Sequence, residues 1–247
     1  MTGVCAAMTD IRLFLLGRRA GAAALALAIA AVACYLGWDV AFDTYLLGGH
    51  ASLPLGTGTV VPPLTAIGVV ALCSPANPDA DDMAVRRPRA FDAVFVALMG
   101  GCAASTAALT HLALALAPGH VVPRFDLYCV RPGCLAESLD GRTIMGEWGI
   151  GLLYAAIAIA STTIFGGLSG TVIACVMYAA AVLAGSWPQI AAISPLTVIV
   201  APERAPLWTA VAATAFAGAV TIRWRRRDLR PAFVRMAART GAPDGFF

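Results

Sequence analysis

The sequence predicts an all-α polytopic membrane protein: six transmembrane helices, an N-terminal elbow helix, and an outer re-entrant segment before the last helix. Three observations predict it. Of its 247 residues, 60% are hydrophobic and 13% charged, and the mean hydropathy of +0.80 is too apolar for a soluble domain of this length. The apolar runs reach the length of about 20 residues that a bilayer core requires. Arginine clusters (Arg18-Arg19, Arg86-Arg87-Arg89, and Arg223 with Arg225-Arg226-Arg227) stand at alternate junctions between those runs, as expected when basic residues are retained on the cytoplasmic side.

The spans follow in order. The first runs from Ala20 to Trp38, the second from Thr57 to Ser74 and the third from Phe91 to Leu116. The fourth runs from Trp148 to Phe165, the fifth from Ser169 to Ala184 and the sixth from Leu207 to Trp224. Residues 1–19 then form a cytoplasmic N-terminus, 20–224 the transmembrane domain and 225–247 a basic cytoplasmic tail. Gly166-Gly167 closes a hairpin between the fourth and fifth spans. Pro62-Pro63 removes two backbone donors from the second, so a kink that could act as a hinge is expected there.

Alternation puts 13 of the 17 arginines inside, leaving Arg124, Arg131, Arg142 and Arg204 outside. Both termini are then cytoplasmic. Trp38, Trp148, Trp187 and Trp208 fall near the outer interface and Trp224 near the inner one, where indole rings prefer to lie. The net charge of +3 therefore reports membrane orientation rather than nucleic-acid binding, because the arginines border spans. The chain contains no lysine, which excludes a Walker-type phosphate loop, a Schiff-base cofactor and a serine-lysine pair.

Thr9-Asp10 is suited to cap a short interfacial helix with Ile11, Phe14 and Leu15 on one face. The polar beginning of the first span explains these residues equally well, and Met8 could also serve as initiator. Arg18-Arg19 followed by Ala31-Val32-Ala33-Cys34 has the outline of a lipoprotein signal. However, Ala31 stands where a larger aliphatic residue is usual and five spans follow, so Cys34 reads as a small buried apolar residue.

The inner loop from Ser74 to Arg89 joins an acidic cluster, Asp79, Asp81 and Asp82, to Arg86, Arg87 and Arg89. It suits a short cytoplasmic helix that docks a partner. A solvated loop with topogenic arginines explains the arginines but not the acids. From Ser186 to Pro206, an apolar stretch interrupted by Pro195 is too short to span, which favours an outer re-entrant or interfacial segment.

The short inner element, the re-entrant segment and a last span ending in Arg225-Arg226-Arg227-Asp228-Leu229 together resemble the permease subunits of ABC-2-type transporters. The resemblance implies a six-span subunit that binds no cofactor itself, dimerises with a second copy or a related permease, and couples to a separate ATP-binding subunit. It places the elbow at Thr9 to Gly17, partner coupling at Asp79, Asp81, Asp82, Arg86, Arg87 and Arg89, and the re-entrant element at Trp187 to Pro202. It also implies the inner membrane of a bacterium, with substrate export. The outer loop from Ala117 to Glu147 is longer than that pattern carries.

Within that loop, Cys129 and Cys134 flank Pro132-Gly133 and could close a disulfide on the oxidising side; a zinc site would have only His120 or Asp126 nearby. An enzyme-like reading is weaker. Gly167-Leu168-Ser169-Gly170 matches the serine motif of rhomboid proteases, but no histidine follows His120 to act as base; Gly166 and Gly170 read better as a close-packing element. Of the three histidines, His50, His111 and His120, only His111 lies in a span. It is expected to be satisfied by a neighbouring helix, or to line a substrate route. A subunit that anchors, assembles or protects a membrane complex without transporting anything remains the alternative reading.

Overall fold

The computed structural model describes residues 18–38, 41–44, 53–75, 88–116, 141–185, 187, 194–196 and 202–225. Among these, six α-helices form a bundle: α1 (Ala20–Leu36), α2 (Thr57–Cys73), α3 (Pro88–Leu116), α4 (Gly141–Phe165), α5 (Gly167–Gly185) and α6 (Ala205–Arg225). Two short antiparallel strands, β1 (Ala41–Thr44) and β2 (Leu53–Gly56), join α1 to α2 with Phe42 opposite Leu55. The all-α expectation did not include this hairpin.

Hydrogen bonds fix the direction of each helix. Thr57 Oγ1 at the start of α2 donates to the Gly37 carbonyl just beyond α1. Thr209, early in α6, donates to the Met145 carbonyl in the first turns of α4 at 2.9 Å. Arg18, before α1, reaches the Cys73 carbonyl at the end of α2 at 2.8 Å. The helices therefore run alternately between two ends, a hairpin end near Gly37, Thr57 and Glu147, and an arginine end near Arg18, Cys73 and Arg223.

Helices α3, α4, α5 and α6 are long and apolar enough to cross a membrane. Helices α1 and α2 are apolar but have 17 residues each, about 26 Å at 1.5 Å per residue against a hydrocarbon core of about 30 Å. Large apolar side chains are exposed on the outside of the bundle, among them Leu25, Leu168, Val176 and Leu207, an arrangement suited to lipid rather than water. The chain is a helical membrane protein.

Helix α4 is the centre. In its most apolar window 67% is buried, against 22% for α5 and for α6. Lipid supplies no hydrophobic drive between helices, so their association depends on close packing and interhelical hydrogen bonds. A methyl group on Gly151 would lie 2.6 Å from the Ala104 carbonyl oxygen of α3, and one on Gly149 would lie 2.7 Å from Thr209 Oγ1 of α6. On α5, a methyl on Gly170 would meet the Ser161 and Thr162 backbone at 2.5 Å. Gly166, with φ 94°, occupies the left-handed region that glycine adopts without penalty and turns the chain from α4 into α5.

Helix α4 begins at Gly141, seven residues before the span expected from Trp148. Arg142 to Glu147 therefore belong to the helix rather than the outer loop. The physical reason is that Glu147, which looked like a loop charge, is buried inside the bundle with its carboxylate against the His111 ring. The elbow (9–17) and the C-terminal tail beyond 225 lie outside the described residues. Of the expected re-entrant segment, Ser194 donates to the Ala181 carbonyl of α5 at 2.9 Å and Leu196 is fully buried; Trp187 is exposed and a 3-10 turn, Pro202–Arg204, leads into α6.

Gly170→Ala should lower the thermal unfolding temperature of the purified protein in detergent, by overpacking of about 1–3 kcal/mol. Gly218→Ala, where nothing lies within 4 Å of the added methyl, should be neutral or slightly stabilising. Equal effects of the two substitutions would contradict the close α4–α5 contact.

Candidate functional site

Two buried polar clusters interrupt the apolar bundle, one at each end. At the arginine end, Asp92 in the second turn of α3 is fully buried and shared by two arginines. Arg18 Nη1 lies 2.5 Å from Asp92 Oδ1. Arg223, in the last turn of α6, grips the same carboxylate with two bonds: Nε to Oδ2 at 2.7 Å and Nη2 to Oδ1 at 3.0 Å. This fork geometry is the stronger form of the arginine–carboxylate pair.

The remaining donors are placed on α2 and α4. Arg18 Nη1 also donates to the carbonyl of Cys73, one of the last four in α2 and so without a partner in its own helix. A cation there also meets the negative end of the α2 dipole. Arg223 Nη1 donates to the hydroxyl oxygens of Thr162 and Thr163 at 3.3 and 3.4 Å, and those hydroxyls in turn donate to the carbonyls of Ala158 and Ile159. The segment preceding α1, together with α2, α3, α4 and α6, thus meets at one carboxylate.

Local chain geometry turns Arg18 inward. Arg19 has φ 49°, in the left-handed region that costs a non-glycine residue about 1–2 kcal/mol. Arg18 is buried while Arg19 points outward, exposed. The arginines at the span boundaries were expected to flank the membrane as interfacial charges. That expectation is corrected for Arg18 and Arg223, which are 0% and 1% exposed, because Asp92 supplies the counter-charge that lets them enter. Arg225 remains exposed.

At the hairpin end, His111 Nδ1 of α3 lies 2.7 Å from Glu147 Oε2 of α4, with only 2% and 8% of the two side chains exposed. Gly58 of α2 faces the same carboxylate, and a methyl group there would overlap it. Cys34 of α1 is fully buried at the same end, within reach of the charge of Glu147. Next to Glu147 in the chain, Trp148 donates its Nε1–H to Ser105 Oγ of α3 at 3.1 Å. His111 Nε2 is buried and has no hydrogen-bond partner.

Pro62 and Pro63 are buried inside an uninterrupted α2. Pro63 has no N–H to offer the Thr59 carbonyl, four residues earlier. Tyr178 of α5 donates its hydroxyl to that carbonyl at 3.2 Å, and its ring stands edge-on to Tyr154 of α4, with centroids 5.1 Å apart. The proline pair is thus tied to α5 as well as being a candidate hinge.

Of the coupling residues, Asp79, Asp81, Asp82, Arg86 and Arg87 lie outside the described residues; Arg89 falls in the first turn of α3, three residues before Asp92. Cys129, Cys134, His50 and His120 also lie outside them. Ser169 is exposed at the arginine end, at the opposite end of the bundle from His111, so the two do not form a nucleophile–base pair. Among the described residues there is no group of three or more His, Cys, Asp or Glu that could hold a metal ion.

Sequence reasoning singled out His111 but missed Asp92, Glu147 and the inward turn of Arg18 and Arg223. A signal was present for Asp92: it is the lone acid inside the third apolar run, and an ionisable group within a span calls for a partner. Glu147 carried no such signal, since it sat at the edge of a polar segment.

No family model, curated protein or solved structure matches this chain.

Asp92→Ala would leave two buried guanidinium groups without their carboxylate and should destabilise the bundle by about 3–5 kcal/mol. Arg223→Met leaves the Arg18–Asp92 pair one to one and should cost less. Unfolding of the purified variants in mixed micelles checks this ranking, and a reversed order would contradict the shared carboxylate.

Proposed function

We propose that this chain is a six-span permease subunit of an ABC-2-like exporter in a bacterial inner membrane, with both termini cytoplasmic. In this reading the two shorter helices, α1 and α2, also cross the bilayer, which thins locally to match them. Residues 9–17 form the elbow and residues 187–202 the outer re-entrant element. The subunit performs no chemistry of its own. It dimerises, or pairs with a related permease, and a separate ATP-binding subunit supplies the nucleotide-driven movement.

The observation that supports this reading is the position of Asp92. The acidic and basic segment that begins at Asp79 ends inside α3, whose first turn holds Arg89, and Asp92 lies within one turn of Arg89. Through Asp92 the start of α3 is bonded to Arg18, ahead of α1, and to Arg223, at the end of α6. A partner that pushes on the loop therefore acts on the first, third and last helices together, as a coupling contact must. The small-residue packing around α4 leaves that helix as the fixed centre about which the others shift.

The alternative reading is a non-transporting subunit that anchors, assembles or protects a membrane complex. The α3–α4 contact at Gly151 and Ala104 is closed to anything larger than hydrogen, which suits both readings, since in a dimeric permease substrate passes between copies.

Mass spectrometry of proteins that co-purify with the tagged chain from its native membrane in mild detergent separates the two. The exporter reading expects an ATP-hydrolysing subunit in near-equal amount; its reproducible absence, with other membrane proteins in its place, would overturn it. Reversing the charges of Asp81, Asp82, Arg86 and Arg87 together should reduce export by about 5-fold or more while ATP hydrolysis by the partner continues. Unchanged coupling would remove this loop from the mechanism.

A further inference from the structure

We propose that His111 and Glu147 form a proton-binding site at the hairpin end of the bundle, in which His111 Nε2 takes the proton and Glu147 is its counter-charge. The inference is independent of the permease reading. It starts from an incomplete hydrogen-bond count. Buried polar groups are almost always paired, yet Nε2 of this 2%-exposed histidine has no partner.

The other ring nitrogen decides what Nε2 can do. Nδ1 sits 2.7 Å from Glu147 Oε2, so with the carboxylate ionised Nδ1 carries a hydrogen and donates it, which leaves Nε2 as a bare lone pair. In that state the pair is a buried anion, which is costly in a dry bundle. Uptake of one proton from hydronium forms an Nε2–H bond, releases water and gives an imidazolium–carboxylate pair of zero net charge. No other bond in the protein breaks. Glu147, with 8% of its side chain exposed in the first two turns of α4, marks the side from which water reaches the pair.

Among the described residues, the surroundings leave the pair to balance its own charge. From α1 the facing titratable group is Cys34, which is fully buried. Helix α2 presents Gly58 and α6 presents Thr209 against Gly149, neither of which titrates. Arg142, Glu203 and Arg204 at the same end are exposed. Because Gly58 packs directly on the carboxylate, a change in charge at this pair is felt by α2, α3 and α4 together. Ionisable residues within membrane bundles mark ion pathways and proton relays among their functional roles.

The test is nitrogen NMR of the full-length chain, labelled with nitrogen-15 histidine and held in lipid nanodiscs, with the His111 signals assigned by their loss in His111→Asn. The expected result is a neutral form protonated at Nδ1 alone, and reversible protonation of Nε2 on acidification while Nδ1 stays protonated. Glu147→Gln should weaken binding of that proton by about tenfold or more. A neutral form protonated at Nε2, an Nε2 that takes no proton before the protein unfolds, or equal proton affinity in a folded Glu147→Gln variant would each overturn the proposal. The tautomer reading in the unmodified protein decides the matter even if that variant fails to fold.

Discussion

The bundle depends on one carboxylate. Asp92 accepts from Arg18 and from both arms of Arg223, and these bonds join the entry to α1, the start of α3 and the end of α6. Two guanidinium groups and one carboxylate leave one formal positive charge in excess, which would be expensive in a low-dielectric interior. The Cys73 carbonyl and the Thr162 and Thr163 hydroxyls spread that charge over three more acceptors. Each acceptor is available for a local reason: the carbonyl terminates a helix, and the hydroxyls already spend their own hydrogens on α4 carbonyls.

The opposite end is held by a different balance. There a single acid meets a single histidine, with glycine on the adjoining helix making room for the carboxylate. Between the two polar ends the contacts are steric: Gly149, Gly151 and the backbone opposite Gly170 let α6, α3 and α5 approach α4 to backbone distance. The arginine end fixes which helices meet, the glycines fix how closely, and the histidine end keeps a group that can change charge.

The positions of the helices were legible in the sequence because apolar runs bounded by Gly, Pro and charged residues leave few choices. The expected and observed starts and ends agree within about three residues for α1, α2, α3, α5 and α6. Helix α4 starts before the apolar run because its first two turns also take in Arg142 and Glu147, and no local pattern announces that His111, 36 residues earlier, will bond Glu147 inside the bundle. Arg18 and Arg223 were misplaced for a related reason. An arginine at a span boundary looks the same whether it faces headgroups or turns inward to an acid, and only the fold brings Asp92 within reach. The hairpin of β1 and β2 was missed because Pro54 within a strand of four residues argues against strand structure, and the pairing with Asp43 is visible only in three dimensions.

A transport subunit and a structural membrane subunit both need a bundle whose ends are tied, and both readings rest on the same interaction. The measurement that tests it most directly is a double-mutant cycle between Asp92→Asn and Arg223→Gln, read as unfolding free energies of the full chain in a lipid–detergent mixture. A shared buried carboxylate predicts a coupling energy of about 1 kcal/mol or more between the two positions. Additive effects, with no coupling, would contradict the account.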